Sequence, residues 1–306
     1  MEEDQFTITF RGVRGGYPKP GSSTLRYGGN TTCVEICAGE HLIIVDAGTG
    51  IISLGKDILK NHNNPDKPYR CILLMTHLHH DHTQGFPFFA PIFNQEAILH
   101  IYGLKPAKGF TLEREMHRLV QPPGSPLRMQ QLRSQRFFHH LRSGDVIYLH
   151  DTVQNPVIYS SRKKIPNVSP DGVIISTLFC KNHPQDGVMV YRIDYHDRSA
   201  VISTDTEGFV GGDKELIRFA VGADLLSHDA EYDEHEYGDE EMVRQGWGHS
   251  TWKMAVEVAQ IAKIKRLALF HHNVDHDDDF LDSLEEKVQR SFSGAFMARE
   301  GHVIDL

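Results

Sequence analysis

One hexapeptide limits what this chain can fold into more than any other feature. Residues 77–82 read His-Leu-His-His-Asp-His, and they follow directly on the apolar run Cys71-Ile-Leu-Leu-Met75. A short, continuous apolar run is the mark of a strand covered on both faces. Side chains placed at the end of such a strand are held rigidly and can point into one cleft. Imidazole and carboxylate at this spacing suit zinc, iron or manganese. His77 and His79 can grip one ion, while Asp81 and His82, turned the other way on the same loop, can grip a second. The competing reading is a solvated polar loop. It is weak, because even in a chain with 20 histidines four positions matched in this way seldom arise by chance.

The rest of the chain supplies a scaffold for such a cleft. Strands are expected at 5–11, 32–37, 42–46, 71–75 and 97–103, with a Gly/Pro/Ser-rich loop from Gly15 to Asn30 that can bring backbone amides close to a ligand. A helix is predicted from Ile51 to Lys60, with Ile51, Leu54, Ile58 and Leu59 on one face. Residues 110–143 read as helices and loops, broken by Pro122-Pro123 and Pro126. Further strands are expected at 173–179, 187–194, 199–203, 223–228 and 266–270. Helices are expected at 214–221, capped by Asp213 and ended by Gly222, and at 251–263. No repeat and no linker rich in Gly, Ser or Pro divides the 306 residues. The expectation is one α/β domain over 1–306, strands inside and helices outside.

The His-x-His-x-Asp-His pattern resembles the metallo-β-lactamase superfamily, and the resemblance spans nearly the whole chain. It implies a four-layer αββα sandwich, two mixed sheets face to face with helices outside. It also implies further ligands at later strand ends, and His183, Asp205 and His271 stand there in the family's order. The implied assignment gives His77, His79 and His183 to one ion and Asp81, His82 and His271 to another, with Asp205 bridging. His272 competes with His271, because one residue of slip changes which ring faces the cleft. Val45-Asp46-Ala-Gly-Thr-Gly resembles the family's early aspartate loop, which buttresses the site.

Two later segments are similar to the tRNase Z branch: Leu225-Leu-Ser-His-Asp229-Ala-Glu-Tyr232 and Gly246-Trp-Gly-His249-Ser-Thr251. The likeness implies His249 as proton donor to the leaving oxygen and Asp229 as its orienting carboxylate. A plain cap role for Ser250-Thr251 is the alternative. The opening Arg11-Gly-Val-Arg14-Gly-Gly and Tyr27-Gly-Gly-Asn30-Thr resemble a cyclic-nucleotide phosphodiesterase-like subgroup. On that likeness Arg14 and Asn30 are candidates for binding substrate; a structural salt bridge is the other role for Arg14.

The reading that follows is a dinuclear hydrolase with two divalent cations, zinc first and manganese or iron as alternatives. The ions share and activate a water that attacks phosphorus. Asp81 serves as ligand and catalytic group, and His249 serves as general acid. A small phosphodiester such as a cyclic nucleotide is the expected substrate. A tRNase Z-like endoribonuclease, a thioester or lactam hydrolase and a non-catalytic metal-binding scaffold are the alternatives. No extruded Gly/Pro-rich arm is evident, and the basic residues Arg128, Arg133, Arg136 and Arg142 read as a solvated helix face. The net charge of −9 weighs against long nucleic acid without excluding it. A homodimer stays open. The four cysteines form no CxxC pair, so reduced thiols are expected rather than a disulfide framework. The acidic start MEEDQFTITF is no secretory signal, and the apolar runs are too short to span a bilayer. The expected setting is cytoplasmic, with no membrane partner.

Overall fold

A computed structural model describes residues 5–62, 68–104, 111–150, 155–165 and 168–306. The strands β1 (Phe6–Gly12), β2 (Cys33–Ala38), β3 (His41–Val45), β4 (Tyr69–Met75), β5 (Ala97–Leu104) and β6 (Gln135–Leu141) lie side by side in that order. The pairs β1·β2 and β2·β3 are antiparallel, and β3 to β6 run parallel. A second sheet takes β7 (Val146–Leu149), β8 (Val157–Tyr159), β9 (Val173–Cys180), β10 (Val188–Tyr195), β11 (Arg198–Ser203), β12 (Leu225–Asp229), β13 (Arg266–Phe270) and β14 (Ala295–Met297). Its order is β14-β13-β12-β11-β10-β9-β7-β8. Last, β15 (Val303–Asp305) returns to the free edge of β1, with Thr7 opposite Asp305.

Side-chain alternation divides each strand between two cores, as the period of two demands. On β4, Ile72 and Leu74 face the core between the sheets, where they meet Phe6, Ile8, Met189 and Tyr191. Cys71, Leu73 and Met75 face the other way, against α1 (Ile51–Asn61) and α3 (Leu112–Leu119). Between these two helices lies the single turn α2 (His80–Thr83). On the far side, α4 (Lys214–Ala220), α6 (Trp252–Ala262) and α7 (Asp278–Ser291) cover the second sheet through Leu216, Ala255, Val258, Leu281 and Leu284. The short α5 (Glu234–Tyr237) precedes α6. The layering is therefore helix, sheet, sheet, helix. Caps sit where the residue types predict. Asp213 accepts from the amides of Glu215 and Leu216, Thr251 from Met254, and Asp277 from Phe280.

The short strands β7, β8, β14 and β15 were not expected, and two longer stretches also differ from the sequence reading. Residues 135–141, expected as helix or loop, form the parallel edge strand β6. Phe137 and His139 stack against His100 on one face, and Phe138 packs into the α3 core on the other. That alternation was present in Phe-Phe-His-His, but polar residues on an edge strand blur it. Arg136 consequently lies on no helix face; its guanidinium donates to the carbonyls of Met129 and Ser134. Helix α7 was not expected at all, although Leu281, Leu284 and Val288 follow its period behind the Asp277 cap. Residues 105–110, part of the stretch read as lacking an arm, and 1–4, part of the acidic start, lie outside the described residues. Among the described residues, no helix is long and apolar enough to cross a membrane.

This topology aims one edge of the sandwich at function. β3 and β4 run parallel, as do β11, β12 and β13, and β9 shares the direction of β11 through two antiparallel steps. Their carboxyl ends all open on the same edge of each sheet, where α/β folds place their ligands.

Candidate metal centre

Each of those strand ends delivers a donor. Asp46 follows β3, His77 follows β4, His183 follows β9, Asp205 follows β11, Asp229 ends β12 and His271 follows β13. Helix α2 adds Asp81 and His82, and its N-cap residue is His79.

The donors gather in two nests. His77, His79 and His183 offer atoms that lie within 4.8 Å of one another, and so do Asp81, His82, Asp205 and His271. Asp205 stands between the nests. One of its oxygens is 3.8 Å from His77 Nε2 and 3.9 Å from His183 Nε2. The other is 3.1 Å from His82 Nε2 and 3.3 Å from His271 Nε2. Asp81 lies 3.1 Å from His271 Nε2 and 3.3 Å from His82 Nε2. All these groups are buried apart from His79, which keeps the mouth.

The ring orientations are set from behind. Asp46, fully buried, accepts from the Thr76 amide and hydroxyl and faces His82 Nδ1 at 2.8 Å. Thr76 Oγ in turn lies 3.1 Å from His77 Nδ1. His183 Nδ1 faces the Gly248 carbonyl at 3.2 Å. Protons held on those Nδ1 atoms leave Nε2 lone pairs turned into the nests, the arrangement metal-ligating histidines require. The inner nitrogens then meet only one another and the carboxylates of Asp81 and Asp205. His77 Nε2 and His82 Nε2 are buried without a hydrogen-bond partner, and His183 Nε2 faces His79 Nδ1 at 3.2 Å. A buried lone pair without a donor is costly, and a cation satisfies several at once. The donor set therefore fits a pair of divalent ions, three imidazoles and a carboxylate oxygen on one side, two imidazoles and two carboxylates on the other.

Electrostatics agree with that fit in the first nest; in the second, burial opposes protonation of His82 and His271 but the carboxylates of Asp205 and Asp81 prevail and raise their proton affinity, so that bound cations would displace those protons. Burial lowers the proton affinity of His77, His79 and His183, keeping them neutral and able to coordinate. Burial opposes ionisation of Asp81 and Asp205, but the surrounding histidines outweigh it and hold both carboxyls well below their ordinary range.

Beside the nests lies a second arrangement. His249 Nδ1 is 2.8 Å from Asp229 Oδ2. Asp229 is fixed in turn, its other oxygen accepting from the Ser250 amide at 2.8 Å. Ser250 Oγ donates to the carbonyl of Thr206, and Glu207 accepts from the amides of Gly246 and Gly248. The loop bearing His249 is thus tied to the segment bearing Asp205. Burial disfavours protonated His249, yet the carboxylates of Asp229 and Glu231 prevail and raise it to about 9. Positive charge in the adjacent nests opposes that rise. His249 also lies near two mixed groups of donors. The nitrogen that faces carboxylates there is Nδ1, already committed to Asp229, so a proton-carrying role suits this ring better than ligation.

Of the two histidines at the end of β13, His271 turns into the nests, whereas His272 turns its Nε2 to the Ala298 carbonyl at 2.8 Å. His80 is exposed. Arg14 and Asn30 require correction as substrate-binding residues. Arg14 is fully buried and donates to the carbonyls of Gly28, Asn273 and His276. Asn30 is held by Glu300 through both its amide and its side chain. The glycines after Arg14 matter more. A Cβ on Gly15 would run into the His271 ring, and the Gly16 amide donates to Asp81 Oδ2 at 3.0 Å. Sequence reading also missed Thr76, Glu207 and Glu231; only their nearness to motif residues singles them out.

Comparison with known proteins agrees with this fold. The sequence model of one family, described as a beta-lactamase superfamily domain, matches residues 41–272. Ribonuclease Z of Picrophilus torridus is 34% identical over 103 residues, which is 34% of this chain but only 30% of that relative. Ribonuclease Z of Lactococcus lactis subsp. lactis is 24% identical over 257 residues, covering 74% of this chain and 79% of the relative. The crystal structure of human tRNase Z, short form, superposes with a TM-score of 0.62 at 20% identity, covering 97% of this chain and 98% of that one.

Proposed function

The chain belongs to the metallo-β-lactamase superfamily, and from that premise we propose that it is a metal-dependent phosphoric diester hydrolase, residues 1–306 acting as one domain. The observation that carries this reading is the His249–Asp229 pair at 2.8 Å, standing beside two adjoining donor nests. A thioester, whose leaving thiolate belongs to a thiol of pKa about 8.5, has no need of a separate proton donor. A phosphodiester does, because its alkoxide leaves poorly unless protonated.

His77, His79 and His183 would hold one divalent ion and Asp81, His82 and His271 a second, with Asp205 available to both, and ions bound there would supply an activated water and charge neutralisation on the non-bridging oxygens. The chain's own residues do the rest. Asp229 holds the Nδ1 proton of His249, which leaves Nε2 to deliver its proton to the departing oxygen. Ser250 and Glu207 fix the loop, so that His249 keeps its place relative to Asp205. Preorganisation of this kind removes the cost of arranging the groups during reaction.

The named relatives act as support for RNA as the substrate class. A small diester is the second reading, favoured by the approach to His249. Residues 231–241 carry seven acidic side chains and no Lys or Arg. A polyanion passing that loop meets repulsion that a single diester largely escapes.

The test compares a structured RNA, a chromogenic diester and a thioester on wild type and His249→Ala, each with and without chelator. The wild type should cleave diesters only when metal is present. His249→Ala should lose about 10²–10⁴-fold in turnover while keeping its metal content. Salt-sensitive RNA cleavage would select the first substrate reading; diester cleavage with no activity on RNA would select the second. Thioester cleavage without diester cleavage would overturn the proposal.

A further inference from the structure

Glu231 lies just beyond β12, two residues after Asp229, and belongs to neither ligand set. Its Oε2 stands 3.1 Å from His271 Nδ1 and 3.2 Å from His249 Nδ1. The two rings it faces are stacked, with centroids 5.0 Å apart and 13° between their planes. His271 in turn stacks on His82 at 5.5 Å and 15°. Three parallel imidazoles thus form a column: two turn Nε2 toward the second nest, and the third is the proton donor.

A ring that ligates through Nε2 carries its proton on Nδ1, and an outer carboxylate that accepts this proton sets both tautomer and ring angle. Asp46 performs that service for His82 at 2.8 Å. For His271, Asp229 is too distant at 3.7 Å. Among the described residues, Glu231 is the carboxylate within hydrogen-bond reach of His271 Nδ1. Its carboxylate is only 16% exposed, so water competes weakly for the same proton.

We propose that Glu231 is a positioning residue whose single oxygen accepts from His271 Nδ1 and pairs electrostatically with the His249 ring that Asp229 holds, so that the last metal ligand and the proton donor keep a fixed separation. The inference rests on the metal-dependent reading above and adds a role to it. The shared oxygen makes the two functions interdependent. Occupancy of the second nest orients His271, which places the Glu231 carboxylate, which places His249.

The test uses the full chain stripped of metal and titrated with Co²⁺, whose visible absorption reports the ligand geometry. Zn²⁺ affinities are measured by competition with a chelating dye. Wild type should take up two ions. Glu231→Ala should bind the first as wild type does and the second about 10–100-fold more weakly, with an altered Co²⁺ spectrum. Glu231→Gln keeps the shape and one acceptor oxygen without the charge, and should fall between the two. Both variants should lose kcat with KM on a chromogenic diester unchanged. A Glu231→Ala protein that binds both ions with wild-type affinity and spectrum would overturn the proposal. A wild type that takes up no second ion would instead defeat the functional reading on which it stands, and the two failures are distinct because the second occurs without any substitution.

Discussion

Asp46, Asp205 and His271 share a backbone peculiarity as well as a site. Each leaves its strand with a positive φ, at 64°, 53° and 61°. A left-handed conformation costs a non-glycine residue about 1–2 kcal/mol, so the fold tolerates strain at the three places where a strand end must turn a side chain into the cleft. Asp46 is the most informative to change, because it touches His82 without belonging to either nest. Asp46→Ala should weaken the second ion about 10–100-fold and the first by less, since Asp46 reaches His77 only through Thr76, as read by metal competition. Arg14 makes the opposite prediction. With its guanidinium on three carbonyls, Arg14→Ala should lower Tm by several degrees, since one buried and two half-buried acceptors lose their donor. KM of the folded fraction should not change; a raised KM with unchanged Tm would restore Arg14 as a phosphate contact. The ligand residues were legible in the sequence because a short motif fixes both their types and their spacing. Arg14 was not, because a buried bracket and a phosphate clamp use the same side chain, and only burial separates them.

At the scale of elements, local signals succeeded where one residue dominates and failed where packing decides. The caps Asp213 and Thr251 mark their helices in the sequence, and apolar runs mark β4 and β13. Strand β6 escaped because its pairing with β5, not its own composition, makes it a strand. That pairing leaves a testable trace. His100, buried on β5, meets His139 of β6 at 3.1 Å. Burial first, then the charges of His139 and Arg70, lowers His100 to about 4, and burial with His140 lowers His139 as well. A histidine depressed in the fold takes up protons more readily when unfolded, so stability rises with pH across this interval. The contribution is complete above about 6.5 and is lost as pH falls toward 4. Metal-free wild type should therefore lose Tm steadily from pH 6.5 to 4.5, and His100→Phe should flatten that slope. An identical slope in both proteins would show that the pair does not titrate as described.

Among the described residues, the molecule carries its site at one edge and its stability in three large cores and one small one. β15 closes the sheet against β1, so the last residues brace the first. The site adds a liability of its own, since Asp81, Asp205, Asp229 and Glu231 crowd into a largely buried volume. Bound cations relieve it, and ligands that favour the folded state stabilise it by mass action. Ion at about 1,000 times its Kd contributes about 4 kcal/mol per site, so removing metal should lower Tm by a margin well beyond any single substitution above. Fold class was legible from the alternation of runs and caps, because layering follows from which faces are apolar. Substrate class was not, because acidic rim and hydrolytic centre point to different sizes of diester, and no local pattern arbitrates.

The central claim is that distant strand ends converge on two cations. Its most direct test is anomalous diffraction from crystals grown with Zn²⁺, collected on either side of the zinc edge. Two peaks per chain about 3.5–4 Å apart, one among His77, His79 and His183 and one among Asp81, His82 and His271, with Asp205 touching both, are the expected result. A single peak, or zinc bound elsewhere with these side chains hydrogen-bonded only to one another, would contradict it.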